Sequence, residues 1–204
     1  MRMNGLIPLI LTLSFTFVSQ ASNASTVTLD PSSDGSLYTC SDCNPNLVTG
    51  SLLVSGYIQG VTIFPTASVS GQITQASLEV NPYGLPLSGP VVDVYGFTST
   101  TGTASGADAN TGTFLGAWTL PANLGYGQPA YFDVTSFVTS ADSPYVGFNL
   151  RTPTGDTDVF SSVQENYGLP EQLTVSSVPL PPSLFLLCSG LIPFLVRRQQ
   201  KLRA

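Results

Sequence analysis

The sequence predicts an all-β protein whose body is a single β-sandwich of the jelly-roll type. An N-terminal signal peptide precedes the body, and a short C-terminal hydrophobic helix follows it. Short runs rich in Val, Ile, Thr and aromatic residues recur along the body, and such residues favour strands. Gly, Pro, Ser and Asn separate these runs, as expected of turns. Charged residues make up only 9% of the chain, so the Glu- and Lys-rich mixtures that build helices are scarce.

Several runs alternate between apolar and polar residues. One run carries Val146, Phe148 and Leu150 at every second position, with Asn149 and Arg151 between and after them. Because side chains alternate along a strand, the three apolar residues share one face and the two polar residues lie on the other. This pattern predicts a sheet that is packed on one side.

The predicted strands follow the short apolar runs and end at turn residues. They span Thr26–Leu29, Ser36–Thr39, Ser51–Phe64, Gln72–Val80, Val91–Phe97, Thr113–Leu120, Ala130–Val134, Tyr145–Arg151, Asp158–Ser161 and Glu171–Ser176. We expect the third run to break near Gly56 or Gly60, because glycine weakens a strand interior.

Two further elements complete the predicted body. A short helix is expected at Thr135–Thr139, with Asp133 or Thr135 as its capping residue. The segment Ser99–Thr111 reads as a polar, Gly-rich loop. No internal repeat is visible, so residues 25–177 are expected to form one domain that is long enough to bury a core.

The first 24 residues have the three parts of a secretory signal peptide. Arg2 supplies a positive charge, Leu6–Val18 is an apolar run, and small residues precede Ala21 and Ala24. This combination is typical of a cleaved signal. The body is therefore expected to be exported, to a compartment where disulfides are permitted.

The tail, residues 178–204, predicts a short membrane helix with a basic stop. Its apolar stretch, Leu184–Val196, would measure about 20 Å as a helix, whereas a bilayer core is about 30 Å thick. Arg197 and Arg198 follow at once and are expected to remain in the cytoplasm, which leaves the body outside. A plain C-terminal anchor is the alternative.

The tail also resembles a known sorting signal. It carries, in order, Val178-Pro179-Leu180-Pro181, an apolar stretch with Ser189-Gly190-Leu191, and Arg197-Arg198. This order resembles the VPLPA-type variant of the PEP-CTERM family of exported bacterial proteins, although Pro182 stands where that variant usually has Ala. The resemblance implies that an exosortase-type membrane peptidase processes the chain. It also implies transient anchoring in the inner membrane, and then a place at the cell surface or in an extracellular matrix with exopolysaccharide.

A second resemblance covers about 45 residues of the body. The elements that carry it are Phe132–Val138, Val146–Arg151, Val159–Ser162, Glu165-Asn166 and Pro170–Val175. Their order resembles the C-terminal half of the DNRLRE-type β-sandwich. The spacing between Ser162 and Glu165 departs from that pattern, and the first half of the body shows no clear match. The resemblance implies a sandwich of a kind often found with carbohydrate-binding architectures, which is an analogy of fold and not a site.

Charge and composition exclude several functions. All 12 acidic residues lie in the body, whereas Arg151 is the only one of the six basic residues found there, so the body's formal charge is −11. No basic patch for nucleic acid can form. The chain has no His and the body has no Lys, which excludes Ser-His-Asp triads, His-ligated zinc and Schiff-base chemistry. We therefore predict that the protein is not an enzyme. Glycan hydrolysis or lyase chemistry by paired carboxylates is the catalytic alternative.

Cys40 and Cys43 form a CxxC motif. Such a motif can be a local disulfide, a redox pair or half a zinc site. In an exported body without further Cys or His, a structural disulfide is the prediction.

Clustered oxygens suggest a second kind of site. Asp30 and Asp34 lie in one predicted turn, and Asp156 and Asp158 lie in another. Calcium takes six to eight oxygen ligands, so a structural calcium ion is one interpretation. Solvated turn aspartates are the other. No other cofactor is expected.

Aromatic residues in loops are the candidates for glycan contact. Tyr83, Tyr126 and Tyr167 lie beside Gly or Pro in predicted loops, where their rings could stack on sugar rings. Ordinary packing is the alternative for each of them, and Trp118 in a predicted strand is expected in the core. The function predicted from the sequence is that of an exported, non-catalytic, exopolysaccharide-associated protein that binds carbohydrate. A structural or adhesive matrix component without a small ligand is the alternative.

Overall fold

The computed structural model describes residues 23–39, 45–49, 52–83, 90–122, 128–153, 158–160 and 170–179. The strands are β1 (Ser25–Leu29), β2 (Ser33–Tyr38), β3 (Asn46–Val48), β4 (Leu52–Val54), β5 (Ile58–Pro65), β6 (Gln72–Val80), β7 (Pro82–Tyr83), β8 (Val91–Ser99), β9 (Thr113–Thr119), β10 (Ala130–Asp133), β11 (Tyr145–Arg151), β12 (Asp158–Phe160) and β13 (Gln172–Val178). One α-helix, α1 (Thr135–Ser140), follows β10, and short 3-10 turns lie at Thr66–Ser68 and Gly106–Asp108.

The strands form two main antiparallel sheets, which confirms the predicted all-β sandwich. One sheet has the order β1-β13-β6-β10, and the other has the order β3-β2-β5-β11-β8-β9. A small sheet, β4-β12-β7, is also present. The predicted break in the run at 51–64 is confirmed, because residues 55–57 turn the chain between β4 and β5. Strands β3 and β7 were not predicted.

The main core lies between the inner faces of the two large sheets. The buried residues of β11 that were predicted to share a face, Val146, Phe148 and Leu150, belong to this core. Leu173 and Val175 of β13 enter it from the other sheet. Trp118 is 7% exposed and belongs to the same cluster, so its predicted core position is confirmed.

The outer face of the six-stranded sheet is partly covered, which corrects the prediction of a sheet packed on one side only. A second buried cluster consists of Leu37, Val61, Ile63, Phe97 and Ala104. The last of these belongs to the polar loop that was predicted at Ser99–Thr111. This loop folds back over the sheet, where Ala104 and Ala109 pack on apolar residues of β2, β5 and β8. Burial of apolar surface favours this arrangement.

The predicted short helix is confirmed as α1, and Asp133, one of the two predicted capping residues, bonds its first turn from one position before the N-cap. The N-cap position is Val134, whose side chain makes no capping hydrogen bond. Asp133, one residue earlier, supplies the carboxylate: its Oδ1 accepts from the backbone N–H of Thr135 at 2.9 Å. The same oxygen accepts from the Thr135 hydroxyl at 2.6 Å. This pair of bonds lowers the pKa of Asp133.

The predicted signal peptide, residues 1–24, and the sorting signal, residues 178–204, lie almost wholly outside the described residues. Val178 is the last residue of β13, where it pairs with Gln72 of β6, and Pro179 follows it with an exposed side chain. Within the described part of the chain, no helix is both long and apolar enough to cross a bilayer.

Candidate functional site

A row of side chains crosses the outer face of the six-stranded sheet at the level of Tyr95. In β8, this residue lies directly opposite Asn149 of β11 and Phe114 of β9. The neighbouring residues Val94 and Phe148 point into the main core. Since side chains alternate along strands, Tyr95, Phe114 and Asn149 point to the outside of the sandwich.

A β-bulge brings the two aromatic rings together. The register between β8 and β9 shifts after Val94, so that Tyr95 lies opposite Phe114 and not opposite Leu115. The ring centroids of Tyr95 and Phe114 are 5.4 Å apart, with the planes inclined by 57°. Phe114 is 52% exposed. An apolar ring that is half open to solvent is thus held in place by a neighbouring ring.

Arg151 lies on the other side of Tyr95. Its Cζ atom is 3.8 Å from the centroid of the Tyr95 ring, a cation–π contact. Its Nη2 donates to the backbone carbonyl of Thr111 at 2.7 Å, and Asp93 faces it across the β8–β11 ladder. Burial lowers the pKa of Arg151, while Tyr95 and Asp93 oppose that shift. The guanidinium remains charged. We call Asp93, Tyr95, Phe114 and Arg151 the outer-face cluster.

The loop beside this cluster is fixed to the sheet by amide side chains. The Nδ2 group of Asn149 donates to the carbonyls of Asp108 at 2.8 Å and Thr111 at 3.1 Å. Gln59 donates to Asn110 Oδ1 at 2.6 Å and accepts from the Asn110 backbone N–H at 3.1 Å. Asn110 has a φ of 59°, a left-handed conformation that asparagine tolerates. These bonds hold the carbonyl that anchors Arg151, so the site is pre-organised.

Other exposed aromatic side chains lie elsewhere on the sandwich. Tyr131, on β10 of the other sheet, is 59% exposed, and Tyr57 is 76% exposed. The latter lies in the turn before β5, where its backbone carbonyl accepts from Thr39 N–H at 2.8 Å. These positions offer matched controls for the outer-face cluster.

The aromatic residues that the sequence singled out are only partly described. Tyr83 lies in β7, paired with Val159 of β12, and its side chain is not described. Tyr126 and Tyr167 lie outside the described residues, so all three glycan contacts stay predictions. Sequence reasoning missed Phe114 and Tyr95. An apolar Phe beside Thr113 at the start of a strand was the available signal, but its meaning depends on the bulge.

The other site residues from the sequence have different outcomes. The predicted disulfide residues Cys40 and Cys43 lie outside the described residues, as do the motif residues Leu180 and Pro181 and the basic residues Arg197 and Arg198. Among the candidate metal ligands, Asp156 also lies outside, and Asp158 begins β12 without a described side chain. These assignments therefore stay predictions.

The remaining two candidate metal ligands separate in the fold. Asp30 is exposed, and its Oδ1 accepts from Gln172 Nε2 at 3.3 Å. Asp34 is 9% exposed and lies in β2, on the core side of the sheet. Among the described residues, no group of three or more Asp, Glu, Cys or His side chains is placed to hold a metal ion.

Asp34 has a second carboxylate as its neighbour. Glu171, just before β13, is completely buried, and neither of its carboxylate oxygens has a hydrogen-bond partner. Burial raises the pKa of Glu171 well above its usual range, and repulsion from Asp34 raises it further. Burial raises the pKa of Asp34 as well. We call these two residues the buried carboxylate pair. They lie too deep to meet a polymeric substrate.

No model of a protein family matches the chain, and a search of curated proteins finds no significant match.

Proposed function

We propose that this chain is an exported, non-catalytic protein that binds carbohydrate through the outer-face cluster. The observation that carries the proposal is the half-exposed ring of Phe114, held against Tyr95 beside the pre-anchored guanidinium of Arg151. The apolar faces of sugar rings pack on such aromatic surfaces. A few fixed polar groups around them give orientation and specificity.

The polar groups of the cluster suit sugar hydroxyls. Arg151 offers N–H donors, and the half-buried carboxylate of Asp93, opposite it in the ladder, is an acceptor. Arg151 is held by a ring and a carbonyl before any ligand arrives. Binding therefore costs little additional side-chain entropy. The formal charge of −11 on the body disfavours polyanionic ligands, so we propose neutral glycans.

Burial of the carboxylate pair supports a non-catalytic role. A glycosidase of the paired-carboxylate type needs both groups beside the scissile bond. Glu171 is completely buried and Asp34 is 9% exposed. A substrate cannot reach them without opening the two sheets.

The rest of the proposal concerns export and sorting, and it rests on the sequence. Residues 1–24 would direct export, and an exosortase-type peptidase would recognise the signal at 178–204. The chain would pass through the inner membrane as a precursor and end at the cell surface or in an exopolysaccharide matrix. Carbohydrate binding by the outer face would be consistent with that destination.

Affinity electrophoresis tests the binding proposal. The full chain, purified in mild detergent, would be run through native gels that contain a mixed-linkage β-glucan, a galactomannan or a xylan. We expect at least one polysaccharide to retard the wild type. The variant Phe114→Ala should lose most of that retardation, while Tyr131→Ala, an exposed aromatic on the other sheet, should keep it. Equal retardation of both variants would contradict the proposed site.

A matrix component without a small ligand is the second candidate, and one observation favours it. Strand β1 forms an edge of the four-stranded sheet, and four of its five residues are exposed, including Val27. An exposed edge strand can pair with another chain. This candidate predicts concentration-dependent association that Val27→Lys weakens and Phe114→Ala leaves unchanged, as measured by light scattering.

A further inference from the structure

Seven buried side-chain polar atoms of the described residues have no hydrogen-bond partner, and two of them, Asn149 Oδ1 and Arg151 Nε, belong to the outer face. The other five are Asp34 Oδ2, Thr62 Oγ1, Asn81 Oδ1 and both carboxylate oxygens of Glu171. Each parent residue is at least nine-tenths buried. An unsatisfied buried polar atom costs free energy, so several of them in one region require an explanation.

Strand register places two of these residues on one face. Asp34 of β2 lies directly opposite Thr62 of β5, and Thr62 lies opposite Phe148 of β11. Phe148 belongs to the main core. Residues directly opposite in a ladder share a face, so the carboxylate and the hydroxyl both point into the space between the sheets.

The other two residues approach from the facing sheet. Glu171 immediately precedes β13 and is completely buried, as is Leu173 two positions later. Asn81 follows β6, and its Nδ2 donates to the carbonyl of Pro170 at 3.1 Å, which places it beside Glu171. The Oδ1 atom of Asn81 remains unpartnered. Glu171 and Asp34 lie close enough for their carboxylates to repel each other. The oxygens of Asp34, Thr62, Asn81 and Glu171, which we call the oxygen cage, therefore come from both sheets.

No basic side chain of the body lies near Asp34 and Glu171 to neutralise their negative charges. Between Arg2 and Arg197, the only basic side chain in the sequence is Arg151. That residue lies on the outer face of the sheet, over the Tyr95 ring. A buried pair of carboxylates without a cation is strongly destabilising. Either a proton or a positive ion must accompany it.

We propose that the oxygen cage binds one calcium ion, which neutralises Asp34 and Glu171 and joins the two sheets. The donor set is entirely oxygen: two carboxylates, a hydroxyl and an amide carbonyl. Hard cations prefer such donors, and calcium accepts mixed and irregular sets of six to eight. Magnesium demands a regular octahedron of ligands and retains its waters, so it should bind more weakly.

Thermal unfolding of the full chain in detergent tests this inference. Fluorescence of Trp118 would be followed in EDTA, in 1 mM calcium chloride and in 1 mM magnesium chloride. If calcium exceeds its Kd by about a hundredfold, the Tm should rise by roughly 5–10 °C. Magnesium should raise it less. Equilibrium dialysis with radioactive calcium should give one ion per chain.

Variants show whether the ion lies in the oxygen cage. Glu171→Gln and Asp34→Asn should abolish the calcium-dependent rise in Tm. Asp30→Asn, which changes an exposed aspartate of the same segment, should leave the rise intact. Thr62→Val provides a second test of the site if the variants of Asp34 or Glu171 do not fold. It removes one unpartnered oxygen, so it should leave the Tm in EDTA equal or higher and should reduce calcium affinity.

Two results would overturn the inference. The first is a wild-type Tm that is the same in EDTA and in calcium. If Glu171→Gln is then also more stable than the wild type at neutral pH, the carboxylate pair shares a proton instead. The second is a calcium-dependent rise that persists in Glu171→Gln, Asp34→Asn and Thr62→Val, which would place the ion elsewhere.

Discussion

The outer-face cluster and the oxygen cage both contain charged side chains that are partly or fully buried, but their charges are balanced in different ways. Arg151 has a ring beneath it, a carbonyl at 2.7 Å and an opposing carboxylate, all supplied by the chain. Asp34 and Glu171 have oxygens around them and no basic side chain. The first region has its charge balanced by the chain and exposes the ring of Phe114 to solvent, which suits the binding of an external polymer. The second is sealed and incomplete, which suits a small ion that stabilises the fold.

The pH dependence of stability should give the largest difference between these regions. In EDTA, burial and Asp34 keep the pKa of Glu171 above its usual value, so the folded state holds a proton that the unfolded chain releases. Stability is then greatest below the ordinary pKa of a glutamate and falls as pH rises toward the raised pKa. The slope should reach at most about 1.4 kcal/mol per pH unit for one proton. Urea unfolding from pH 5 to 8 measures it.

The variant Glu171→Gln provides the control for that slope. It removes the titrating group and should flatten the profile over the same range, apart from the contribution of Asp34, whose pKa is also raised. Asp133, whose pKa is lowered, gives the opposite sign: its contribution is lost as pH falls. An unchanged slope in Glu171→Gln would show that the buried carboxylate does not titrate as described.

The next largest effect on stability is expected from adding a side chain at Gly147, under the covered part of the outer face. Gly147 lies on β11 beneath the ring of Phe97, and a Cβ atom there would overlap that ring. Gly147→Ala should therefore lower the free energy of unfolding by about 1–3 kcal/mol. Glycan retention per folded molecule should not change, because the outer-face cluster lies further along the strand. Denaturant unfolding and affinity gels measure the two quantities separately.

Changing the guanidinium should affect the open site more than the fold. Arg151→Lys keeps the charge but loses the planar contact with Tyr95 and the fork geometry of its donors. We expect about a tenfold loss of glycan affinity, which corresponds to about 1.4 kcal/mol, and a smaller loss of stability. Isothermal titration with an oligosaccharide from the retained polymer measures the first. Asp142→Asn, a substitution on an exposed turn, is the control, and equal affinities for both variants would contradict a role for Arg151.

The smallest effect on stability is expected for Phe114→Ala. The side chain is 52% exposed, so its removal should change the free energy of unfolding by about 0.5 kcal/mol or less. The same variant should lose glycan retention. A large loss of stability without a loss of retention would reverse the roles assigned to the two regions.

Local pattern was sufficient to predict much of the fold. The predicted bounds of Gln72–Val80 and Tyr145–Arg151 match those of β6 and β11, because both runs alternate and end at turn residues. β3 and β7 have three and two residues, which is too short for a periodic signal. The cover over the outer face was missed because a polar loop with three scattered alanines gives no sign that it packs on a sheet.

The two candidate sites depend on contacts between distant parts of the chain. Phe114 meets Tyr95 only because a bulge shifts the register between β8 and β9, and composition does not reveal a bulge. Asp34 was identified in the sequence as an oxygen ligand, but Glu171 was not. The approach of Glu171 to Asp34 depends on how the two sheets stack, and a single sequence does not specify that stacking. The scarcity of basic residues in the body, by contrast, was visible in the sequence. It disfavours polyanionic ligands at the outer-face cluster and leaves the oxygen cage without a basic side chain.

Nuclear magnetic resonance can show directly whether the outer-face cluster binds carbohydrate. The full chain in detergent micelles would be titrated with an oligosaccharide from the polymer that retards it, with the variant Arg151→Lys used to assign the side-chain Nε–H of Arg151. We expect this signal and the ring signals of Phe114 and Tyr95 to shift together and saturate, while those of Tyr131 and Trp118 stay in place. Saturable shifts confined to Tyr131 or Tyr57, with the signals of the outer-face cluster unmoved, would contradict it.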